Sequence, residues 1–320
     1  MRHLLKSFTA TLLCLACLHA QAQNFPEKPV RFVVPYAPGG PTDIIARLLS
    51  QKLTESWKQP VVVDNRPGGS GNVGTAQVAK SAPDGYTVLI NTSSVAVNTS
   101  LFTNAGYNLE KELIGVSNVA NSPNVIVAST SLTSKNLKDA IEASRSGNLS
   151  YASPGTGTTP HLSAEYLFKV LAKTNVLHVP YKGAGPAVNA ALTGEVQFAS
   201  VAMPAAVPLI RSGKLHGLAL TSSKRNAALP DVPTVAESGF TGFEDYTWVG
   251  VFVPAGTPKA IVSKINADIE TLIQQPSVKE QLALLGFDPV GGSPDSFARY
   301  IKVEMTKWAA VVRDTGVKVE

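Results

Sequence analysis

Cysteine is nearly absent from this sequence. The chain of 320 residues has two, Cys14 and Cys17, and both lie within an apolar run over residues 8–18. Two basic residues precede the run, and Ala20-Gln21-Ala22 follows it with the small-x-small pattern of a cleavage site. These features are typical of a secretory signal peptide, so we predict that residues 1–22 are removed on export to the periplasm, with a lipid anchor at Cys17 as the alternative. The exported chain would then have no cysteine, which excludes disulfides, thiolate metal sites and cysteine nucleophiles.

Charge is also sparse. Charged residues make up 16% of the chain, and removing Arg2 and Lys6 leaves 26 of the 28 basic residues against 23 acidic ones. This weak balance gives no basic stripe of the kind that nucleic acids require, so we expect no nucleic-acid partner. After residue 22 no apolar run approaches the length of a membrane span, so we expect an exported protein without a membrane segment.

Motifs that would indicate an enzyme are missing as well. The exported chain has three histidines, His161, His178 and His216, and their spacing matches no zinc motif. Neither a G-x-S-x-G nucleophile elbow nor a G-x-x-x-x-G-K-S/T phosphate loop is present. These absences predict no metal and no cofactor and favour a binding protein over an enzyme, although catalytic triads can also assemble from distant segments.

What the sequence has in abundance is strand–helix alternation. Short apolar runs such as Val30–Val34, Val61–Asp64 and Tyr86–Ile90 alternate with segments of helical periodicity. Further strands are predicted at Asn124–Ala128, Leu149–Ala152, Val176–Val179, Val196–Val201, Leu215–Leu220 and Thr247–Val253. This alternation is typical of an α/β fold with sheets that are rich in parallel strands.

The segment Tyr36–Asp43 is the most informative candidate binding loop. It follows a predicted buried strand and leads into a predicted helix, so its glycines and free helix amides can approach an anion closely. A plain turn with a helix cap would give the same pattern. The candidate ligand-binding residues here are Tyr36, Ala37, Pro38, Gly39, Gly40, Thr42 and Asp43.

Polar residues follow other predicted strands in the same way. The loop Ser153–His161 leads from a strand into a helix, and Thr92, Ser93 and Ser94 follow the strand Tyr86–Ile90. Open α/β sheets place ligands at the carboxyl ends of their strands, so we expect these side chains to share one cleft. The candidate ligand-binding residues are Thr92, Ser93, Ser94, Ser153, Thr156, Gly157, Thr158, His161 and Met203.

The segment Gly69–Gly74 matches the dinucleotide spacing G-x-G-x-x-G. Asn65–Gly68 separates it from the preceding strand, and Asp84 lies too close to serve as the ribose acid. An oxidoreductase that uses NAD is therefore a weak alternative.

Together these segments resemble the Bug-type receptors of tripartite tricarboxylate transporters, a TctC-like family. The resemblance runs from about Phe25 to Glu320. It includes Pro29-Val30-Arg31-Phe32-Val33-Val34-Pro35-Tyr36-Ala37-Pro38-Gly39-Gly40, Asp64-Asn65-Arg66-Pro67-Gly68, Pro83-Asp84-Gly85-Tyr86-Thr87, His178-Val179-Pro180-Tyr181-Lys182-Gly183 and Leu229-Pro230-Asp231-Val232-Pro233-Thr234.

This resemblance implies a Venus-flytrap fold of two lobes with the ligand between them. Lobe 1 would contain residues 23–123 plus 248–320, and lobe 2 residues 124–247. The implied function is a monomeric periplasmic receptor that closes around a di- or tricarboxylate, an acidic amino acid or an aromatic acid. Its implied partners are the permease subunits of a tripartite transporter. A ligand-sensing partner of a membrane sensor would share the same pocket and is the alternative.

Overall fold

The computed structural model describes residues 25–319 of the chain. The predicted signal peptide, residues 1–22, lies outside the described residues. Among the residues that are described, no helix combines the length and the apolarity that a membrane crossing needs.

Strands of both lobes form one continuous, curled sheet. In spatial order its main path is β2-β1-β3-β9-β4-β7-β5-β6, and β8 and β10 pair with β4 outside this path. The strands are β1 Val30–Val34, β2 Val61–Asn65, β3 Thr87–Thr92, β4 Leu113–Ser129, β5 Ser150–Ser153, β6 Leu177–Pro180, β7 Phe198–Ala202, β8 Leu215–Leu220, β9 Tyr246–Pro254 and β10 Asp288–Pro289.

Helices cover the faces of this sheet. They are α1 Pro41–Trp57, α2 Asn72–Ala79, α3 Ser94–Leu101, α4 Leu109–Glu112, α5 Leu137–Ser146, α6 Thr159–Glu165, α7 Ala184–Thr193, α8 Val207–Arg211, α9 Lys259–Ile273, α10 Pro276–Leu284 and α11 Pro294–Thr315. A π-helical segment, Tyr166–Leu171, extends α6, and short 3-10 turns lie at Gly69–Gly71 and Met203–Ala205. The predicted α/β class is confirmed.

Each lobe has a set of parallel strands at its outer edge. Strand β1 pairs in parallel with β2 and β3, and β5 does so with β6 and β7. We call the half with β1–β3 lobe 1 and the half with β5–β8 lobe 2. The strands between these sets, β4 and β9, run antiparallel to their neighbours.

Strand β4 passes through both lobes. From Leu113 to Pro123 it pairs with β9, and from Asn124 to Ser129 it pairs with β7 and β8. The sequence predicted only Asn124–Ala128, because the first half of the strand carries polar residues that resemble a loop. Those residues find partners in the fold, since Ser117 donates to Glu270 Oε1 at 3.0 Å and Ser122 donates to the Gly286 carbonyl at 3.0 Å. The change of pairing partner coincides with the predicted boundary after residue 123, and the division at 123 and 247 stays a prediction.

The last helix, α11, contacts both lobes. It begins with the Ser293 side chain accepting from the Ser296 amide, and it ends at Gly316 in the left-handed region. Its Trp308 packs in one apolar cluster with Val97 and Leu101 of α3 and with Leu162 of α6. Apolar packing therefore joins the lobes beside the cleft, in addition to the strands that connect them.

Candidate functional site

A narrow cavity of about 20 Å³ lies where loops of the two lobes meet. We call it the central cavity. Its walls are Tyr36, Gly40, Pro41, Thr42, Thr92 and Ser94 from lobe 1, Pro154, Thr158, Pro160, Ala184 and Ala202 from lobe 2, and Thr247 from β9. Most of these residues follow the carboxyl ends of strands, which is where open α/β sheets bind ligands.

Four helices begin at the wall of the central cavity. They are α1, α3, α6 and α7. The wall residues Thr42, Ser94, Thr158 and Ala184 lie at or next to the first residues of these helices. The N-cap residue of each helix makes no side-chain capping bond, although in α3 the Ser94 amide donates to Thr92 Oγ1 at 3.3 Å. Helix amino ends carry unpaired N–H groups and a partial positive charge. Their convergence makes the cavity a site for an anion without any cationic side chain.

None of the described residues that line the central cavity is charged, but six of them carry hydroxyl groups. Thr92 donates to Ser94 Oγ at 3.0 Å, and Thr158 donates to the Gly155 carbonyl at 2.8 Å. The Thr42 hydroxyl is buried and has no partner among the described residues. A buried hydroxyl without a partner costs free energy, so Thr42 is the group that gains most from a polar ligand.

A chain of hydrogen bonds runs from the strands that join the lobes to the cavity. Asn124 donates through Nδ2 to Asp245 Oδ2 at 2.7 Å and accepts through Oδ1 from the Thr247 hydroxyl at 2.7 Å. Thr247 has only one proton, so the 2.6 Å contact with Thr159 must be donated by Thr159. By the same reasoning Ser93 donates to Thr159 across 3.1 Å. This series of hydrogen bonds connects lobe 1 to lobe 2. It uses the hydroxyl proton of Ser93, which does not line the cavity.

The loops of the two lobes touch beyond the cavity. The Ala37 amide donates to the Lys182 carbonyl at 2.8 Å. A Cβ on Gly185 would lie 2.4 Å from the Pro38 carbonyl oxygen. Ala37 and Pro38, predicted to bind ligand, therefore form the contact between lobes, because their peptide groups face α7.

Asp43 was predicted to bind ligand, but its carboxylate is already occupied. Arg47 donates to Oδ2 at 2.9 Å, the Gly39 amide at 3.1 Å, and Asn65 donates to Oδ1 at 3.1 Å. Burial alone would raise the pKa of Asp43, but the hydrogen bonds from Arg47, Gly39 and Asn65 outweigh it and hold the pKa below its usual value. Asp43 and Gly39 thus fix the shape of the loop behind the cavity wall.

Ser153, Gly157 and His161 also lie behind the wall. The Gly157 amide donates to His161 Nδ1 at 3.0 Å, and Ser153 Oγ lies 2.7 Å from Nε2 of His178. The rings of His161 and His178 stack with their centres 3.9 Å apart. Burial lowers the pKa of each histidine to about 3, so both rings are neutral at ordinary pH.

The remaining predicted residues lie on either side of the central cavity. Thr156 lines an outer pocket of about 230 Å³ that shares Tyr36 and Pro154 with the cavity and also contains Lys182. Met203 is fully buried, and a Cβ on Gly286 would overlap its Cε, so it packs between the lobes. Of the predicted residues, the structure brings six to the wall: Tyr36, Gly40, Thr42, Thr92, Ser94 and Thr158.

Sequence reasoning missed several wall residues. Ala184 and Ala202 are small and apolar and carry no chemical signal, and Thr247 belongs to a strand that reaches the cavity from a distant part of the chain. Only Ala184 follows a recognisable signal, because Lys182-Gly183 precedes a helical segment.

The pocket contains no group that would indicate a metal site. Within residues 25–319, no three side chains of His, Cys, Asp or Glu are grouped as a metal ion would require. The segment Gly69–Gly74 forms a 3-10 turn and the start of α2, and Gly68–Gly71 lies in the outer pocket. A Cβ on Gly74 would lie 2.9 Å from the Arg66 carbonyl oxygen, so this glycine serves close packing of the loop.

The substitution Asp245→Asn should remove the pH dependence that the Asp245 carboxyl gives to the free energy of unfolding. Burial raises the pKa of the Asp245 carboxyl from 3.8 to about 6, against the opposing charge of Lys307 at 3.7 Å and the hydrogen bond from Ser163. The folded chain holds a proton that the unfolded chain has lost, so the free energy of unfolding falls as pH rises from about 4 to about 6. This shift corresponds to about 3 kcal/mol.

Urea unfolding of both proteins across this interval measures the effect. Titrating histidines contribute equally to both proteins and cancel in the difference. The stability of the variant relative to the wild type should rise with pH, and a difference that stays constant would contradict a raised pKa of Asp245.

Comparisons with known proteins agree with this geometry. The family model described as "Tripartite tricarboxylate transporter family receptor" matches residues 45–317. BugT of Bordetella pertussis is 40% identical over 304 residues, which cover 93% of each chain. The structure of R. palustris Rpa4515 with adipate has a TM-score of 0.88 and 34% identity, covering 92% of this chain and 99% of that one.

A further solved structure extends this similarity. MatC from Rhodopseudomonas palustris with bound malate has a TM-score of 0.84 and 32% identity, and the match covers 90% of this chain and all of that one. The family model spans well over half of the chain, and the BugT match covers nearly all of it. The chain therefore belongs to the receptor family of the tripartite tricarboxylate transporters, which are two-lobed periplasmic solute-binding proteins and not enzymes.

Proposed function

We propose that this protein captures a small organic carboxylate in the central cavity, closes its lobes around it and delivers it to the permease of a tripartite transporter. The ligand classes are di- and tricarboxylates, acidic amino acids and aromatic acids. The protein works in the periplasm as a monomer, after removal of residues 1–22.

One observation carries this proposal: four helix amino ends without N-cap side-chain bonds, and a Thr42 hydroxyl without a partner among the described residues, converge on a cavity with uncharged walls. Each helix end stabilises an anion by about 0.3–1 kcal/mol when exposed and up to about 2 kcal/mol when partly buried. Four partly buried ends together approach the roughly 8 kcal/mol of a micromolar complex. Such affinity requires that both lobes contact the ligand at once, because α1 and α3 belong to lobe 1 and α6 and α7 to lobe 2.

The relatives support a carboxylate over other anions. The neighbouring structures contain adipate and malate, both of which carry two carboxylate groups. The outer pocket, with Lys182 at its wall, offers room for the rest of such a ligand beyond the central cavity.

A thermal-shift screen of the exported chain tests the function. Small carboxylates, including adipate and malate, are compared with their dimethyl esters, which have the same carbon skeleton and no charge. At least one carboxylate should raise the melting temperature, and its ester should not, because helix amino ends favour negative charge. Stabilisation by sugars or nucleotides alone, or by esters as strongly as acids, would refute the proposed function.

A further inference from the structure

The loop Ser153–Thr158, which joins β5 to α6, has two tasks. We call it the cavity loop. It supplies Pro154 and Thr158 to the wall of the central cavity. It also meets lobe 1, because a Cβ on Gly157 would fall 2.2 Å from Leu101 Cδ2 and 3.4 Å from Asn98 Oδ1. The shape of this loop therefore affects both the ligand site and the contact between lobes.

Two stacked histidines, the buried His161 and the half-buried His178, hold this loop from the side of lobe 2. The Gly157 amide donates to His161 Nδ1 at 3.0 Å, so the ring proton of His161 must be on Nε2. Ser153 Oγ lies 2.7 Å from His178 Nε2 and 3.2 Å from the Gly155 carbonyl oxygen, so His178 is hydrogen-bonded to the first residue of the loop. The stacked rings thus fix both ends of the cavity loop.

His161 is well suited to a permanent role as an acceptor. Its side chain is buried, and burial lowers its pKa to about 3. Its ring stacks on that of His178, with ring centres 3.9 Å apart, and the Tyr151 ring centre lies 5.0 Å from His178 and 6.5 Å from His161. Nδ1 therefore stays unprotonated and remains directed at Gly157 over the whole range of ordinary pH.

We infer that His161 is a positioning residue for ligand capture, whose Nδ1 holds the Gly157 amide so that the cavity loop completes the wall and meets Leu101 of lobe 1. This inference rests on the proposed function for the ligand and for lobe closure. It assigns His161 a role in shaping the site and no contact with the ligand itself.

Two substitutions separate this role from simple packing. In His161→Asn the amide Oδ1 takes a position close to that of Nδ1, so the acceptor is kept while the ring contacts are lost. In His161→Leu the apolar packing is largely kept, but the buried Gly157 amide loses its acceptor. If His161 only packs, the leucine variant should be more stable and should also bind the ligand more tightly. If His161 positions the loop, the asparagine variant should bind the ligand more tightly than the leucine variant.

Four measurements decide between these outcomes. Binding of adipate and of malate is measured by calorimetry, and stability by urea unfolding. Hydrogen exchange of the Gly157 amide is followed by NMR. The distance between the lobes is measured by spin labels on Gln51→Cys of α1 and Lys138→Cys of α5, both exposed positions in an exported chain without other cysteines.

The positioning role predicts that His161→Leu binds about 10-fold more weakly or worse, exchanges the Gly157 amide faster and shifts the label distance toward an open form. His161→Asn should restore slow exchange and bind within a few-fold of the wild type, although it is the less stable variant. The inference would be overturned if the more stable of the two variants also bound the ligand more tightly. It would also be overturned if the Gly157 amide exchanged as slowly in His161→Leu as in the wild type. If the wild type binds no carboxylate, the proposed function fails, and the exchange and distance measurements still decide whether His161 shapes the loop.

Discussion

Gly185→Ala should weaken ligand binding by about 10- to 100-fold while both lobes remain folded, because overpacking of this kind costs about 1–3 kcal/mol. The added Cβ would lie 2.4 Å from the Pro38 carbonyl oxygen, a backbone atom that no rotamer change can move. Gly185 lies in α7 of lobe 2 and Pro38 in the first loop of lobe 1, so the collision exists only when the lobes meet. The backbone of Gly185 is not in the left-handed region, and alanine is a good helix residue, so folding of lobe 2 is not disturbed.

Calorimetry with a carboxylate found in the screen measures the affinity, and small-angle scattering measures whether ligand still contracts the molecule. Gly147→Ala serves as the matched control, because its Cβ would lie 3.4 Å from its nearest neighbour and outside the cleft. Wild-type affinity and contraction in Gly185→Ala would show that the ligand does not require contact between Pro38 and α7.

Thr42→Val should lower affinity and raise stability at the same time. The substitution keeps the shape of the side chain and removes a buried hydroxyl that has no partner among the described residues. A hydrogen bond to a charged ligand contributes about 1.5–3 kcal/mol, so the affinity for a carboxylate should fall by about 10- to 100-fold. Without ligand, loss of the unsatisfied group should raise the free energy of unfolding by about 1 kcal/mol.

Thr257→Val is the control, because its expected effects on stability and on affinity differ from those of Thr42→Val. Its buried hydroxyl donates to the Pro254 carbonyl at 2.7 Å, far in the fold from the central cavity. That variant should lose about 1 kcal/mol of stability and keep its affinity. If Thr42→Val bound the carboxylate as well as the wild type, the Thr42 hydroxyl would have no part in recognition.

The sequence was sufficient for those parts of the fold that local pattern determines. Val30–Val34 is apolar at four of its five positions and is a buried strand, and Ser293 and Gly316 delimit the last helix as capping rules require. The first half of β4 was missed because Ser117, Asn118 and Asn121 resemble loop residues until distant partners are known. Local sequence does not contain Glu270 or Gly286, which satisfy that half of the strand.

The candidate site shows the same limit. Loop composition identified Gly40, Thr42, Thr92, Ser94 and Thr158, because glycines and hydroxyls after strands are signals that lie next to each other in sequence. The same composition could not distinguish wall residues from those behind the wall. Asp43 and His161 are polar residues at helix starts, and only the positions of Arg47, Asn65 and Gly157 show that their polar atoms are occupied.

Strand β4 connects the two lobes directly, without a loop between its two halves. Its 17 residues belong to one unbroken extended segment, whose first half is bonded into lobe 1 and whose second half is bonded into lobe 2. If the lobes open as proposed, we expect the movement to change the twist of this hydrogen-bonded strand, because its two halves are bonded into different lobes. The stiffness of the strand would then limit how far the lobes of the empty protein separate.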